Sequence, residues 1–316
     1  ALTFTKDQNH LRISTVTRTV HEHRLADSKG FSTCRSACQM PRCVSFDPDG
    51  DEMACAASRL EGEGRSYAYP IYIHRATTGE EFTQVRAPSK VTRLALSIDG
   101  SQVAIANKDR VQIWDAGFRT RQSQFTTKGE VKDLLFIRKN LYILSTHKKQ
   151  SAIQRWNGNL KLICSRGGAY RALAISDDER DVVCIGAREV LIGSLQNDSV
   201  RTIPTSGQSV AFVRNRIQTL TLQSVTKQRL IRSVLRSYEV GNGKELESIR
   251  LSNEAQGISR AAFHPRESRL VLASENGARV IETVSGRAVL TLTARKARIA
   301  DVSWSGDGNI LAVAYE

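Results

Sequence analysis

The chain has 316 residues and a formal net charge of +14, from 46 Lys and Arg against 32 Asp and Glu. Hydrophobic residues make up 40% and charged residues 25%, a balance that excludes a disordered, fibrous or low-complexity protein. No apolar run approaches the roughly 18 residues that cross a bilayer as a helix, and no signal-peptide pattern is visible. The chain starts with Ala1, so it is expected to be processed or an excerpt. The cationic surplus favours anionic partners by long-range attraction.

From the amino terminus the chain reads as short alternating segments divided by turn residues, the period of half-buried β-strands. The segment from Leu2 to Met40 divides into LTFTKDQN, LRISTVT, TVHEHRLADSKG and FSTCRSACQ. From Cys43 come VSFDPDG and MACAAS, then RLEGEGRSYAY, whose glycine and charge predict a surface loop, then IYIHRATTG and EFTQVRAP. The clearest copy runs from Val91 to Lys128, as VTRLALSIDG, SQVAIANKD, RVQIWDAGF and RTRQSQFTTK. Asp99-Gly100 in its first part suits a tight hairpin with positive φ. Further copies begin near Val131, Tyr170, Ser209 and Arg260, and IADVSWSGDG with ILAVAYE supplies two last strands. Ser224 to Tyr238 approaches helical spacing and is read as a long basic loop entering a strand, a possible inserted contact element.

Four short strands every 40 or so residues, a repeated S-x-DG-type turn and Ile113-Trp114-Asp115 together resemble a WD40 blade. The resemblance covers essentially the whole chain and implies an all-β fold: a β-propeller of four-stranded antiparallel blades. Seven blades over residues 1–297 are expected, with 298–316 as the first two strands of a further or closing blade; the alternatives are an eight-bladed ring and a ring in which the amino-terminal unit is phased differently and completes the last blade. Trp114-Asp115 is the one Trp-Asp pair and Gly-His is absent, so blade stability must lean on apolar packing between sheets.

In such a propeller the loops from strand two to three, and from strand four to the next unit, share a rim. By this phasing the rim carries the candidate partner-binding residues Arg42, Lys90, Lys108, Lys128, Lys132, Lys148, Arg171, Arg188, Lys227, Arg279 and Arg298, with Lys149 and Arg166 beside them. Acids such as Asp99, Asp177, Asp178 and Glu179 fall on the opposite rim. A basic rim captures acidic or phosphorylated peptides through arginine forks, or nucleic-acid backbone. Base reading needs exposed aromatics, and the loops offer Tyr67, Tyr69 and Tyr170.

Catalytic signatures are missing: no GxSxG, HExxH, P-loop or helix-opening GxGxxG is present. His21-Glu22-His23 lacks a third metal ligand, and Asp47, Asp49 and Asp51 lack the glutamate of a calcium loop. Cys34, Cys38, Cys43, Cys55, Cys164 and Cys184 are expected to be reduced thiols. The reading is a non-catalytic protein-interaction scaffold, cytoplasmic or nuclear, with no cofactor, no metal and no membrane span, within a larger chain or complex. The alternatives are an RNA-associated subunit of a large assembly and the ligand-sensing propeller of a NACHT-type receptor ATPase.

Overall fold

The computed structural model describes residues 2–4, 10–14, 20–24, 41–46, 52–57, 59–61, 66–75, 81–87, 89–97, 99–115, 120–196, 199–205, 207, 209–213, 216–225, 230–251, 258, 260–264, 267–274, 277–293, 299–304 and 310–315. They fall in two compact units: Ala1–Thr127 with Leu134–Leu141 and Ala297–Glu316, and Lys128–Asp133 with Tyr142–Lys296. All regular structure among the described residues is β, so none of it is a helix long and apolar enough to cross a membrane.

In chain order the strands begin with β1 (Leu2–Phe4), β2 (His10–Ser14), β3 (Val20–Arg24), β4 (Pro41–Phe46), β5 (Glu52–Ala57), β6 (Arg59–Glu61), β7 (Ser66–Arg75) and β8 (Glu81–Ala87). Then come β9 (Arg93–Leu96), β10 (Gln102–Asn107), β11 (Arg110–Asp115), β12 (Arg121–Thr126), β13 (Glu130–Ile137), β14 (Asn140–His147), β15 (Gln150–Trp156) and β16 (Leu160–Gly167). They continue as β17 (Tyr170–Ile175), β18 (Asp181–Gly186), β19 (Val190–Ser194), β20 (Val200–Ile203), β21 (Ser209–Val213), β22 (Arg216–Val225), β23 (Leu230–Glu239) and β24 (Glu245–Arg250). The last are β25 (Arg260–Phe263), β26 (Arg269–Ser274), β27 (Gly277–Glu282), β28 (Ala288–Thr293), β29 (Ile299–Trp304) and β30 (Ile310–Tyr315).

Six sheets are each built from consecutive strands: β4 to β8, β9 to β12, β13 to β16, β17 to β20, β21 to β24 and β25 to β28. The remaining sheet runs β29-β30-β1-β2-β3 and joins the two ends of the chain. Leu2 lies opposite Leu311 and Thr3 opposite Ile310. This corrects the expected seven successive units and the alternative of eight, and agrees with the alternative in which the amino-terminal unit completes the last blade. The described strands of the amino-terminal segment, β1 to β3, do not start a blade of their own, because they complete a sheet begun by β29 and β30.

Burial grades across each sheet. Second strands are buried on both sides, as in β10 (QVAIAN, with Val103, Ala104, Ile105 and Ala106 buried) and β18 (DVVCIG). Fourth strands are polar and mostly exposed, as in β12 and β24. That gradient explains the near-continuous apolar inner runs and the weak alternation of the outer ones. Within the first unit, Ala54, Ala56, Ile71 and Ile73 of one sheet pack on Leu94, Leu96, Val103 and Ile105 of the next. Within the second, Val183, Ile185 and Ile192 pack on Ile217 and Tyr238, and Leu220 and Leu235 pack on Leu270 and Leu272. Each such aliphatic side chain contributes about 1.5–3 kcal/mol relative to exposure.

The first turn uses one hydrogen-bonding device twice. Ser97 Oγ donates to Asp99 Oδ1 at 2.6 Å, and Ser101 donates through both its Oγ (2.7 Å) and its N–H (3.1 Å). Gly100 follows with φ of 65°. Between β17 and β18, Ser176 Oγ donates to Asp178 at 2.7 Å, the Arg180 N–H donates to the same oxygen at 3.1 Å, and Glu179 takes φ of 59°. The serine hydrogen bond, then those of Ser101, hold the Asp99 carboxyl below its ordinary pKa of 3.8. The unfolded carboxyl therefore takes its proton first as pH falls. The stabilisation is complete above about pH 4 and is lost as pH drops through the lower, folded pKa. Denaturant unfolding from pH 7 to pH 3 should show a shallower loss for Asp99→Asn than for the native chain; superimposable curves would remove this role.

Three expectations are corrected. The excursion read as a surface loop is partly paired, with Arg59 opposite Ala68 and Glu61 opposite Ser66. The long basic loop is instead a hairpin, β22–β23, paired from Arg216↔Glu239 to Val225↔Leu230. Cys55 is disulfide-bonded rather than reduced, while Cys164 and Cys184 are thiols outside any disulfide. The Trp114 indole N–H donates to Gln112 Oε1 at 3.2 Å, two residues back on its own strand, and Gln112 in turn donates to Gln124 at 2.9 Å. Cys34 and Cys38 lie outside the described residues, as do the side chains of Cys43, His21 and His23.

Candidate anion-binding loops

In the β9–β12, β13–β16 and β17–β20 sheets the chain leaves the outer strand and folds back against the turn between strands two and three. In the first unit the Thr127 N–H donates to the Asp109 carbonyl at 2.8 Å. In the second, the Gly168 N–H donates to Lys149 O at 2.6 Å and the Gly207 N–H to Gly186 O at 3.2 Å. These bonds bring the two loop classes to one end of each sheet, because antiparallel strands return there.

In the first unit Lys90 is exposed in the link before β9, and Lys108 is exposed in the β10–β11 turn with a left-handed φ of 50°. Arg42 lies on β4, with its side chain outside the described residues. Arg298 and Lys227 also lie outside the described residues.

In the second unit Lys148 and Lys149 form the β14–β15 turn, with φ of 53° at Lys148. Arg166 ends β16 opposite Ser151, Arg171 is the second residue of β17, and Arg188 sits in the β18–β19 turn. All five are exposed. Among the described residues none of them makes an ion pair. Lys128 is exposed beside them, whereas Lys132 is half-buried and pairs with Glu130 at 2.6 Å. Arg279 corrects the expectation: it lies inside β27 between Leu272 and Thr291, not in a turn.

Hydroxyls organise the backbone under these cations. Ser151 Oγ donates to Gly168 O at 2.9 Å and accepts from the Tyr170 N–H at 3.1 Å. Tyr170 is 3% exposed, and its hydroxyl donates to Glu189 Oε1 at 2.6 Å. Burial, then that bond, raise its pKa above the ordinary tyrosine value, which keeps the hydroxyl a donor. Tyr170 is thus unavailable for base stacking, against expectation. Tyr69 is half-buried and packs on the first unit's core.

The opposite ends of these sheets differ. The β17–β18 turn holds Asp177, Asp178 and Glu179 around Arg180. Tyr142 donates to Glu179 at 2.7 Å, and burial, then that bond, push its pKa up to about 12. Glu239 and Glu245 flank the β23–β24 turn with Lys244. Cations do occur there too: the β13–β14 turn carries Arg138 and Lys139. What separates the ends of the second unit is the company of acids, as in Arg180–Asp178 (3.4 Å) and Arg269–Glu267 (2.9 Å).

Nothing described converges for chemistry. A cavity of about 140 Å³ lies among Ile163, Cys164, Arg166, Val182, Leu191 and Val200, with no carboxylate in its wall. Among the described residues no three His, Cys, Asp or Glu side chains gather where they could hold a metal ion.

No family model matches the chain, and no curated protein matches it in sequence. It is similar to a solved structure, "Structure of U3-55K", with a TM-score of 0.66 and 16% sequence identity, over 87% of this chain and 88% of that one. At that identity the likeness carries the fold alone. The chain has the fold of a WD40-like β-propeller, all-β with four-stranded antiparallel blades.

Proposed function

We propose that the chain is a non-catalytic interaction platform whose basic loops dock acidic or phosphorylated segments of a partner protein. The observation that carries this is the set Lys148, Lys149, Arg166, Arg171 and Arg188 in the second unit, exposed and, among the described residues, without ion pairs. Surface cations with nearby acids are largely neutralised and attract little. An uncompensated group on hydrogen-bonded turns keeps its charge aimed at solvent and raises the local concentration of anions. Lys90, Lys108 and Lys128 extend the reading, and so do Arg42, Lys227 and Arg298. Arg279 and the paired Lys132 add little to it.

The fold is one that commonly serves as a protein-binding scaffold inside larger assemblies. Protein is favoured over RNA because Tyr170 is buried and Tyr69 packs inward, which removes two of three candidate stacking platforms. The test uses a twelve-residue peptide of alternating Glu and Thr, with and without phosphothreonine, against the native chain and a variant with Lys148, Lys149, Arg171 and Arg188 replaced by Ser. The variant should bind the phosphorylated peptide at least about tenfold more weakly, with a flatter salt dependence. Equal affinity and equal salt slope would reject the loops as the docking site. Tighter binding of twelve-residue polyuridylate than of either peptide would favour the RNA reading.

A further inference from the structure

The β22–β23 hairpin outgrows its sheet. Strand β21 covers β22 only as far as Ser209↔Leu220. Strand β24 covers β23 as far as Val234↔Arg250, and the Leu251 N–H adds one bond to Ser233 O. Beyond that, Gln223↔Arg232, Ser224↔Ile231 and Val225↔Leu230 pair with each other, and among the described residues no third strand flanks them. Three pairs at about 3.3 Å per residue carry the ribbon about 10 Å past its sheet. In the β9–β12 sheet the equivalent turn closes at once, at Asn107↔Arg110, whereas in the β4–β8 sheet β6 and β7 continue the pairing to Glu61↔Ser66.

An isolated two-stranded ribbon is marginal in water, and its unpaired N–H and C=O groups are a template for another strand. Its charge is also one-sided. Between Asp198 and Glu239 the chain holds no acidic residue, while Arg201, Arg214, Arg216, Lys227, Arg229, Arg232 and Arg236 all fall there. Of these, Arg236 is committed inward: it donates to Thr205 Oγ1 at 2.6 Å and lies 3.9 Å from Glu245.

We propose that the free edges of the β22–β23 ribbon take an extended acidic segment of a partner protein by strand addition. A strand laid on either edge pairs its backbone with the ribbon's and places alternate side chains on one face. Acids at every second position of that strand complement the acid-free, cationic sequence between Asp198 and Glu239. A nucleic acid has no amide ladder to satisfy the edges, and no aromatic residue lies between Phe212 and Tyr238 on which bases would stack. Cations placed merely to keep the edge from aggregating are the competing explanation. The proposal rests on the scaffold reading but locates recognition on the ribbon rather than on the turns.

The experiment compares binding of the alternating Glu-Thr peptide with a copy N-methylated on alternate residues, which keeps the charge and deletes the backbone donors. The N-methylated copy should bind the native chain at least about tenfold more weakly, as the loss of two or three backbone hydrogen bonds implies. Replacing residues 223–232 by Asn-Gly joins the paired neighbours Leu222 and Ser233 through a two-residue turn. This trimmed chain should bind the peptide more weakly and no longer discriminate the N-methylated copy. Equal affinity for the two peptides overturns strand addition. Undiminished affinity in the trimmed chain overturns the ribbon site while leaving the loop reading intact. Polyuridylate binding that is tighter than the peptide's and weakened by trimming overturns the choice of a protein partner. The Lys148, Lys149, Arg171 and Arg188 variant should still discriminate the two peptides even if its overall affinity falls.

Discussion

Gly129→Ala should lower the stability of the chain by about 3 kcal/mol or more, the upper range for overpacking. A Cβ on Gly129 would sit 2.5 Å from the Thr146 carbonyl carbon, 2.6 Å from its oxygen and 2.7 Å from His147 N. These are backbone atoms near the end of β14, a strand buried from Leu141 to Ser145, so no side-chain rotation relieves the clash. The link after β12 runs this close because it folds back over the turn end of the sheets, and only glycine fits. Chemical denaturation measures the loss. Gly241→Ala is the control, since nothing lies within 4 Å of its Cβ, and it should change stability by less than about 0.5 kcal/mol. A Gly129→Ala chain as stable as that control would mean the close approach is absent in solution.

Gly207→Ala should cost about 2–3 kcal/mol, for a different reason. Here the new methyl would fall on Ile185 Cδ1 and lie 2.7 Å from Ile185 Cγ1. Ile185 is fully buried in the core between the β17–β20 and β21–β24 sheets, so it has nowhere to swing. Because the obstacle is a side chain, it can be removed. Ile185→Val deletes the Cδ1 at a cost of about 1 kcal/mol. In that background Gly207→Ala should cost at least about 1 kcal/mol less than in the native chain, the signature of direct contact in a double-mutant cycle. Strict additivity of the two changes would place the damage elsewhere.

Much of the blade plan was legible because it is local. The S-x-D turn needs only a serine and an aspartate two residues apart, and both Ser97–Asp99 and Ser176–Asp178 close as their spacing implies. Second strands such as QVAIAN and DVVCIG are apolar at every interior position, and such runs have no stable home except between two sheets. The exposed cations of the two-residue turns were legible for the same reason: Lys108 and Lys148 take left-handed φ at the tips of tight hairpins. Arg279 was misplaced because ARVIETV alternates too weakly to show where the turn ends and the strand begins. Tyr170 looked exposed because it opens a strand after the two-residue link Gly168–Ala169, and nothing local reveals that Glu189 waits 19 positions away.

The sequence by itself determined the all-β class, the order of the strands, most of the turns and the sign of the charge, since each depends on residues a few positions apart. Tertiary structure decided among the ring closures the sequence left open in favour of one sheet shared by the two chain ends, and it alone decided that Arg216–Val225 and Leu230–Glu239 pair as a ribbon outgrowing its neighbours and that Lys132 is paired while, among the described residues, Lys148, Lys149, Arg166, Arg171 and Arg188 make no ion pair. Those outcomes turn on backbone hydrogen bonds and electrostatic partners drawn from distant parts of the chain. Such partners are chosen by which edges remain open after the local hairpins have formed, and the pattern of a single strand carries no record of that choice.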